Sequence, residues 1–253
     1  MLDDAKIAIV VPAFNEARHI QRTLRGIPAF VDWIVVVDDG SKDATTQLAA
    51  ESGDRRVLLL RHAHNRGVGA ALKTGYQAAF DAGADVAAVM AGDGQMDPAD
   101  LCALLAPVLR GEADYTKGDR LSHPLARARM PAARYIGNHL LSALTRLSTG
   151  LPIRDSQCGY TALHRRALER LPLAELWDGY GYPNDLLGAL RVSGGRVRDV
   201  VVRPIYGSEI SGIGLRHALF VIPFLLARVV LRRIEAALTR IPSLPATSSV
   251  EPE

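Results

Sequence analysis

Apolar runs alternating with helix-period segments across the first hundred residues predict an α/β protein: a doubly wound, Rossmann-like, mostly parallel sheet flanked by helices. Two further observations support that class. With 253 residues, 48% of them hydrophobic, the chain can bury one large core or two modest ones, and its composition is neither disordered nor fibrous. The apolar runs also end abruptly on acids and amides, as strands do when they deliver polar groups to the carboxyl edge of a parallel sheet, where ligands bind.

The first run, Ile7 to Val11, stops at Pro12. Beyond Asn15-Glu16, the spacing of Ile20, Leu24 and Ile27 predicts a helix up to Pro28. Trp33 to Val37 is the second strand and runs into Asp38-Asp39-Gly40-Ser41, where Ser41 is expected to cap a helix carrying Ala44 and Leu48 and ending at Gly53. Val57 to Leu60 is the third strand. His64-Asn65-Arg66-Gly67-Val68-Gly69 follows it, then a helix through Ala71, Leu72, Gly75 and Ala79 to Gly83. The glycine pair resembles a phosphate loop but has the spacing of neither a dinucleotide fingerprint nor a Walker loop.

Val86 to Met90 is the fourth strand and delivers Asp93 and Gln95 to the sheet edge. A carboxylate and an amide carbonyl are hard oxygen ligands of the kind Mg²⁺ or Mn²⁺ accepts together with substrate phosphates. Gly92-Asp93-Gly94 is equally good turn chemistry, and Asp97 is a sound N-cap for a helix opening at Pro98, so the residues alone leave both readings open.

Asp114 to Lys117 reads as a short strand closed by Gly118-Asp119-Arg120, and a long helix follows Pro131. On that helix Arg134, Asn138 and Ser142 share one face, either solvated or turned to a ligand, while Ile136, Leu140, Leu144 and Leu147 share the other. Asp155-Ser156-Gln157-Cys158-Gly159-Tyr160 is a polar turn between apolar stretches, which needs a reason such as a ligand. A helix from Leu163 to Leu171, a helix capped by Asn184-Asp185 and running to Val192, and a strand from Val197 to Val202 complete the series.

The formal charge of +3 hides a segregation: residues 110 to 170 carry 11 basic side chains against 5 acidic. That stretch lacks interleaved aromatics, so phosphate-bearing small molecules or lipid headgroups suit it better than nucleic acid. Cys102 and Cys158 show no metal-ligand spacing and read as reduced thiols of a cytoplasmic protein, an expectation shared by the acidic, leaderless start. Between Arg216 and Arg228 lies an apolar run too short to span a bilayer, flanked by Arg228, Arg232, Arg233 and Arg240. It reads as a helix lying on a membrane surface, or equally as a core or homo-oligomer helix.

Taken in order, VVPAFNE (10–16), VVDDGSKDAT (36–45), HNRGVGAALKTG (64–75), AGDGQMDP (91–98), KGDR (117–120) and DSQCGY (155–160) resemble the family 2 glycosyltransferases, in the branch of dolichyl-phosphate mannose synthase and its bacterial polyprenyl-phosphate relatives. The resemblance implies the GT-A fold and an inverting, metal-dependent transfer of a hexose from a GDP- or UDP-sugar to a polyprenyl phosphate on the cytoplasmic membrane face. Peripheral contact or a membrane partner protein would bring the enzyme there. It also implies a domain over 1–212, with a donor half to about 118 and an acceptor half beyond; the apolar run with its arginines reads as an amphipathic segment over 213–240, and the Pro-, Ser- and Thr-bearing end as a disordered tail over 241–253.

By the same resemblance, Pro12, Ala13, Asn15 and Glu16 border the nucleoside, Asp39 accepts from the base, and Gly67 and Lys73 belong to the donor side. Asp93 and Gln95 hold Mg²⁺ or Mn²⁺. Arg120, Arg134 and Asn138 match positions that meet the acceptor phosphate, with Asp155 and Gln157 in the acceptor turn. There are two departures. Ala91 stands where the family usually has an acid, and Glu209 falls where relatives are basic, with Arg203 as the nearby substitute. A soluble hydroxyl acceptor, or a non-catalytic nucleotide-sugar-binding subunit, are the alternatives.

Overall fold

All seven residues of strand β1 (Ile7–Ala13) are buried, and they divide between two cores. Ile7, Ile9 and Val11 enter one layer while Ala8 and Val10 enter the other, which is why the run is continuously apolar. In the computed structural model, which describes residues 4–206 and 220–239, the same holds for β2 (Trp33–Asp38), whose Ile34 and Val36 oppose Val35 and Val37.

Between and after these lie α1 (Ile20–Gly26), α2 (Thr45–Ala50), β3 (Val57–Arg61), α3 (Val68–Asp81), β4 (Val86–Val89), α4 (Leu101–Leu109) and β5 (Tyr115–Asp119). The second half supplies α5 (Ala126–Arg129), α6 (Ala132–Thr149), β6 (Thr161–His164), α7 (Arg165–Leu168), α8 (Tyr182–Val192), β7 (Val197–Val201) and α9 (Ile222–Thr239). One sheet in the order β3-β2-β1-β4-β6-β5-β7 runs through both halves. Helices α1, α2 and α4 cover one face; α3 and α8 cover the other. Helix α3 lies so close that a Cβ on Gly75 would stand 2.2 Å from Val10 Cγ1.

Every strand runs parallel to β1 except β6, which pairs antiparallel with both β4 and β5. That reversal positions the site. Because Thr161 pairs with Val89, the turn that precedes β6 meets the sheet at the edge where β1, β2, β4, β5 and β7 end.

Three local expectations are corrected, and one open alternative, on α6, is decided. Leu163 and His164 are strand, not helix, because their backbone pairs with β4, leaving a helix of only four residues from Arg165. Ser41 does not cap α2; its hydroxyl accepts from the Asn15 N–H at 2.9 Å. Asn184 and Asp185 lie inside α8, buried in its first turn, and the helix starts after Gly181. The polar face of α6 is not solvated, since Ser142, Thr145, Ser148 and Thr149 are buried while Ile136, Leu140, Leu144 and Leu147 face outward. Asp97 does cap as expected, accepting from the Ala99 N–H at 2.9 Å ahead of one 3₁₀ turn and α4. Residues 207–219 and 240–253 lie outside the described residues, and with them the Glu209 loop, the start of the 213–240 segment and the tail.

Part of the positive middle segment is structural. At the amino edge of β5 the buried Asp114 is ringed by Arg166, Arg196 and Arg170 at 3.1, 3.1 and 3.7 Å. Burial pushes its carboxyl up, but hydrogen bonds and charge from Arg196 and Arg166 prevail and hold it at about 2. Because the folded state holds this group below its ordinary value of 3.8, the stabilisation is fully present above pH 4 and drains as pH falls towards 2. Asp114→Asn is expected to remove about 1.4 kcal/mol of the stability difference between pH 4 and pH 2.5. Denaturant midpoints at pH 4 and pH 2.5 check it; an unchanged difference between them refutes it.

Candidate active site

The carboxyl end of β1 ties two motifs together. Pro12 O accepts from the Gly92 N–H at 3.1 Å and Ala13 O from the Asp39 N–H at 2.9 Å, so the acids after β2 and β4 flank the same strand end. Asn15 sits in the left-handed region at φ 57°, its side-chain oxygen accepting from the Lys42 N–H at 3.0 Å. The Glu16 N–H donates to Thr45 Oγ1 at 2.7 Å. The buried Asp38 accepts from the Ser41 N–H and the Thr46 hydroxyl, fixing the turn. Asp39 instead organises the next loop. Its Oδ1 faces His62 Nδ1 at 2.6 Å and accepts from the Arg66 N–H at 2.9 Å, while its Oδ2 accepts from the Gly67 N–H at 2.8 Å. His62 Nε2 lies 3.0 Å from Thr74 Oγ1, so the imidazole is held from both sides.

Gly67 and Gly69 allow another segment to approach. A Cβ on Gly67 would stand 2.5 Å from Asp178 O and one on Gly69 2.2 Å from Trp177 O. Asp178 O accepts from the Ala70 N–H at 3.0 Å in the first turn of α3. Lys73 belongs to the same contact, its ammonium donating to Leu176 O at 2.8 Å and pairing with Asp178 at 2.6 Å. The segment's tip carries Tyr180, 46% exposed, between Gly179 and Gly181. Its phenol is pushed up by burial and by the charges of Asp93 and Glu16.

Asp93 is half-buried, and its Oδ1 accepts from the Gln95 N–H at 2.9 Å. Among the described residues no three His, Cys, Asp or Glu side chains gather as metal ligands, in keeping with Ala91 in the motif. One carboxylate and one amide still fit Mg²⁺ or Mn²⁺, because such ions commonly take one or two carboxylates and complete their shell with substrate phosphates and water. Met96 closes the loop, its thioether accepting from the Ala91 N–H at 3.3 Å.

On the acceptor side the polar turn closes around a buried ion pair. Asp155, 0% exposed, accepts from Arg120 Nε at 2.7 Å, Arg120 Nη2 at 3.1 Å, and the Arg120 and Gln157 N–H groups at 3.2 Å. Arg134 rests on the Tyr206 ring, 5.5 Å from its centroid. The Gln157 amide donates to Ser156 Oγ at 2.8 Å, and Asn138 Nδ2 lies 3.7 Å from Met130 Sδ. Arg203 reaches back to the metal-type loop, pairing with Asp97 at 2.6 Å and Asp100 at 3.5 Å. Beneath the turn, the fully buried Lys117 donates to Cys158 O at 2.6 Å. Burial raises the nearby Asp199 to about 6, with Lys117 pulling the other way.

Pro12, Ala13, Asn15, Asp39 and Gly67 are thus held in one hydrogen-bonded assembly. Arg120 and Asp155 form one buried pair and Arg134 lies on Tyr206, whereas Lys73 and Arg203 are committed to ion pairs within the protein. Sequence reasoning missed His62 and Tyr180, and named Tyr206 only within the 202–212 stretch that resembles the family's acceptor loop, with no role of its own. Only Tyr180 carried a local signal, the flanking glycines of a loop tip.

The arrangement is a GT-A-like fold with two groups of motifs at one sheet edge. It superimposes on glucosyl-3-phosphoglycerate synthase from Mycobacterium tuberculosis in complex with UDP at a TM-score of 0.65 and 25% identity, covering 90% of this chain and 81% of that one. Residues 8–172 match Glycosyl transferase family 2, and the chain belongs to that family: it is a nucleotide-sugar-dependent glycosyltransferase. Among its relatives are the UDP-N-acetylglucosamine–dolichyl-phosphate N-acetylglucosaminyltransferase of Methanococcus voltae, 32% identical over 66% of this chain and 73% of that one. Another is the polyprenol monophosphomannose synthase of Mycolicibacterium smegmatis, 30% identical over 84% of this chain and 83% of that one. Cys102 and Cys158 are free, as expected.

Proposed function

We propose that this enzyme transfers a hexose, with inversion, from a GDP- or UDP-sugar to a polyprenyl phosphate at a membrane surface. The observation that carries the reading is the contrast between Asp155 and Arg134. The carboxylate of the acceptor turn is fully buried with all its lone pairs engaged, so it is no general base, while Arg134 has no carboxylate partner among the described residues. A phosphate acceptor needs that combination, since it is already anionic at neutral pH and requires cations to place it. The names of the two relatives, which act on dolichyl and polyprenol phosphates, agree with it.

In this reading residues 4 to about 118 form the donor half and the rest of the sheet the acceptor half. Asn15, Glu16 and the Asp39–His62 pair hold the nucleoside. Asp93 and Gln95 would hold Mg²⁺ or Mn²⁺, which supplies charge compensation for the departing nucleoside diphosphate. Arg134 orients the acceptor oxygen for attack on the face of the anomeric carbon opposite the leaving group, which inverts it.

Among the described residues no helix is long and apolar enough to cross a membrane. Two helices nonetheless turn apolar stripes outward: Ile136, Leu140, Leu144 and Leu147 on α6, and Phe220, Phe224, Leu231, Ile234 and Leu238 on and just before α9. We read these as the lipid-facing surface, rimmed by the exposed Arg127, Arg129 and Arg146. Leu140→Glu combined with Leu231→Glu is expected to weaken partition onto anionic vesicles by on the order of tenfold, with folding intact. Unchanged partition would assign the stripes to contacts between copies.

The second reading, a soluble phosphorylated acid as acceptor, is favoured by the fold match to a synthase whose product is glucosyl-3-phosphoglycerate. Nucleoside diphosphate release from GDP- and UDP-sugars with Mg²⁺ or Mn²⁺, offered polyprenyl phosphate, 3-phosphoglycerate or a neutral glycan, separates the readings. Release that depends on polyprenyl phosphate supports the first. Release with the soluble acid alone overturns it.

A further inference from the structure

Tyr206 follows β7 with its ring under the Arg134 guanidinium, 5.5 Å from the centroid, and the charges of Arg120 and Asp155 act on its phenol. The hydroxyl is buried and has no hydrogen-bond partner among the described residues. Buried polar atoms in native proteins are almost always paired, so an orphan beside a functional site calls for an absent partner. None of the surrounding groups can be that partner. Arg120 turns its Nε and Nη2 onto Asp155 and has only donors to offer, and the carboxylate's four lone-pair positions take the Arg120 Nε, Arg120 Nη2, Arg120 N–H and Gln157 N–H donors. The Cys158 thiol is a weak acceptor, and Arg134 lies over the ring face and has only donors to offer. Among the described residues the pocket holds surplus donors and lacks an acceptor.

We propose that the Tyr206 hydroxyl is a binding contact for the acceptor phosphate, donating a hydrogen bond to one of its oxygens once that phosphate draws the Arg134 guanidinium off the ring. Burial raises the phenol above its ordinary range, so it stays protonated at neutral pH and can serve only as a donor towards an anion. In the absence of a phosphate, the cation–π contact gives Arg134 a resting place within reach of its ligand. Arg134 and Tyr206 then form a two-part clamp, and the buried Arg120–Asp155 pair serves as its rigid backing. The proposal rests on the phosphate-acceptor reading given above, and its test is built to fail separately from it.

Tyr206→Phe keeps the ring under Arg134 and removes only the oxygen. Calorimetric binding of citronellyl phosphate, a short soluble polyprenyl phosphate, is compared with citronellol and with UDP and GDP, for wild type and variant. The variant is expected to bind citronellyl phosphate about tenfold more weakly, the scale of one hydrogen bond to a charged group, with nucleotide binding unchanged. In turnover, the KM for the acceptor rises while the KM for the donor holds. Equal phosphate affinity in wild type and variant overturns the proposal. An equal loss for phosphate and nucleotide also overturns it, by showing a purely structural role. If wild type binds citronellyl phosphate but transfers no sugar to it, the acceptor reading fails while the binding data still decide the Tyr206 contact. Failure of wild type to bind the phosphate at all overturns both.

Discussion

Asp93→Ala is expected to slow sugar transfer by about 100-fold or more, because a group that compensates charge on a leaving diphosphate contributes several kcal/mol to the barrier. The structure sharpens the expectation. Among the described residues Asp93 belongs to no ready-made cluster of acids, and Ala91 supplies no second carboxylate. The ion would therefore depend on this one carboxylate, Gln95 and the substrate phosphates, so its affinity should be weak without nucleotide and strengthen with it. Titration of Mn²⁺ by calorimetry, with and without UDP or GDP, reads that coupling. Asp93→Ala should abolish it, and the melting temperature read in parallel separates that loss from unfolding. Full turnover in excess chelator would refute the metal assignment.

The parallel strands were legible because their physics is one-dimensional. A strand buried on both faces must be continuously apolar, and β1, β2 and β4 are. Strand β6 was not legible: Thr161 to His164 is four residues long, and its conformation is set by partners in β4 and β5 that no local pattern names. Helix α6 shows a subtler limit. Its period was readable, but the inward face was not, because a stripe of small hydroxyls can be buried when each hydroxyl is satisfied nearby. Thr145 Oγ1 donates to Leu141 O at 2.8 Å and Thr149 Oγ1 to Thr145 O at 2.7 Å, and the Ser142 hydroxyl meets Ser156 at 3.3 Å. On the site side, the motif acids were legible as strand-end carboxylates, whereas their partners were not. His62 against Asp39, and the 174–181 segment against Gly67 and Gly69, arise from chain crossings between elements distant in sequence.

The widest separation between two variants should come from Arg134→Ala and Asp155→Asn, because the two side chains sit in opposite environments. Asp155 is fully buried, and its neutral replacement would leave the Arg120 guanidinium inside the protein without its counter-charge. Breaking a buried pair in that way costs about 3–5 kcal/mol, which in a protein of this size lowers the melting temperature by on the order of 10 °C. Arg134 is half-buried on the Tyr206 ring, so truncating it should change stability by about 1 kcal/mol or less. Activity should rank the other way. Losing a charge-assisted contact to the acceptor phosphate is worth about 2–3 kcal/mol, so Arg134→Ala should reduce kcat/KM for the acceptor by about 30- to 150-fold. The Asn variant, assayed below its melting temperature, should keep appreciable turnover. The wild-type rate should level off above the second phosphate pKa near 6, since the nucleophile is then already ionised. If Asp155→Asn instead abolishes turnover with its melting temperature intact while Arg134→Ala barely matters, the carboxylate is a general base, the acceptor is a hydroxyl, and the polyprenyl-phosphate assignment falls.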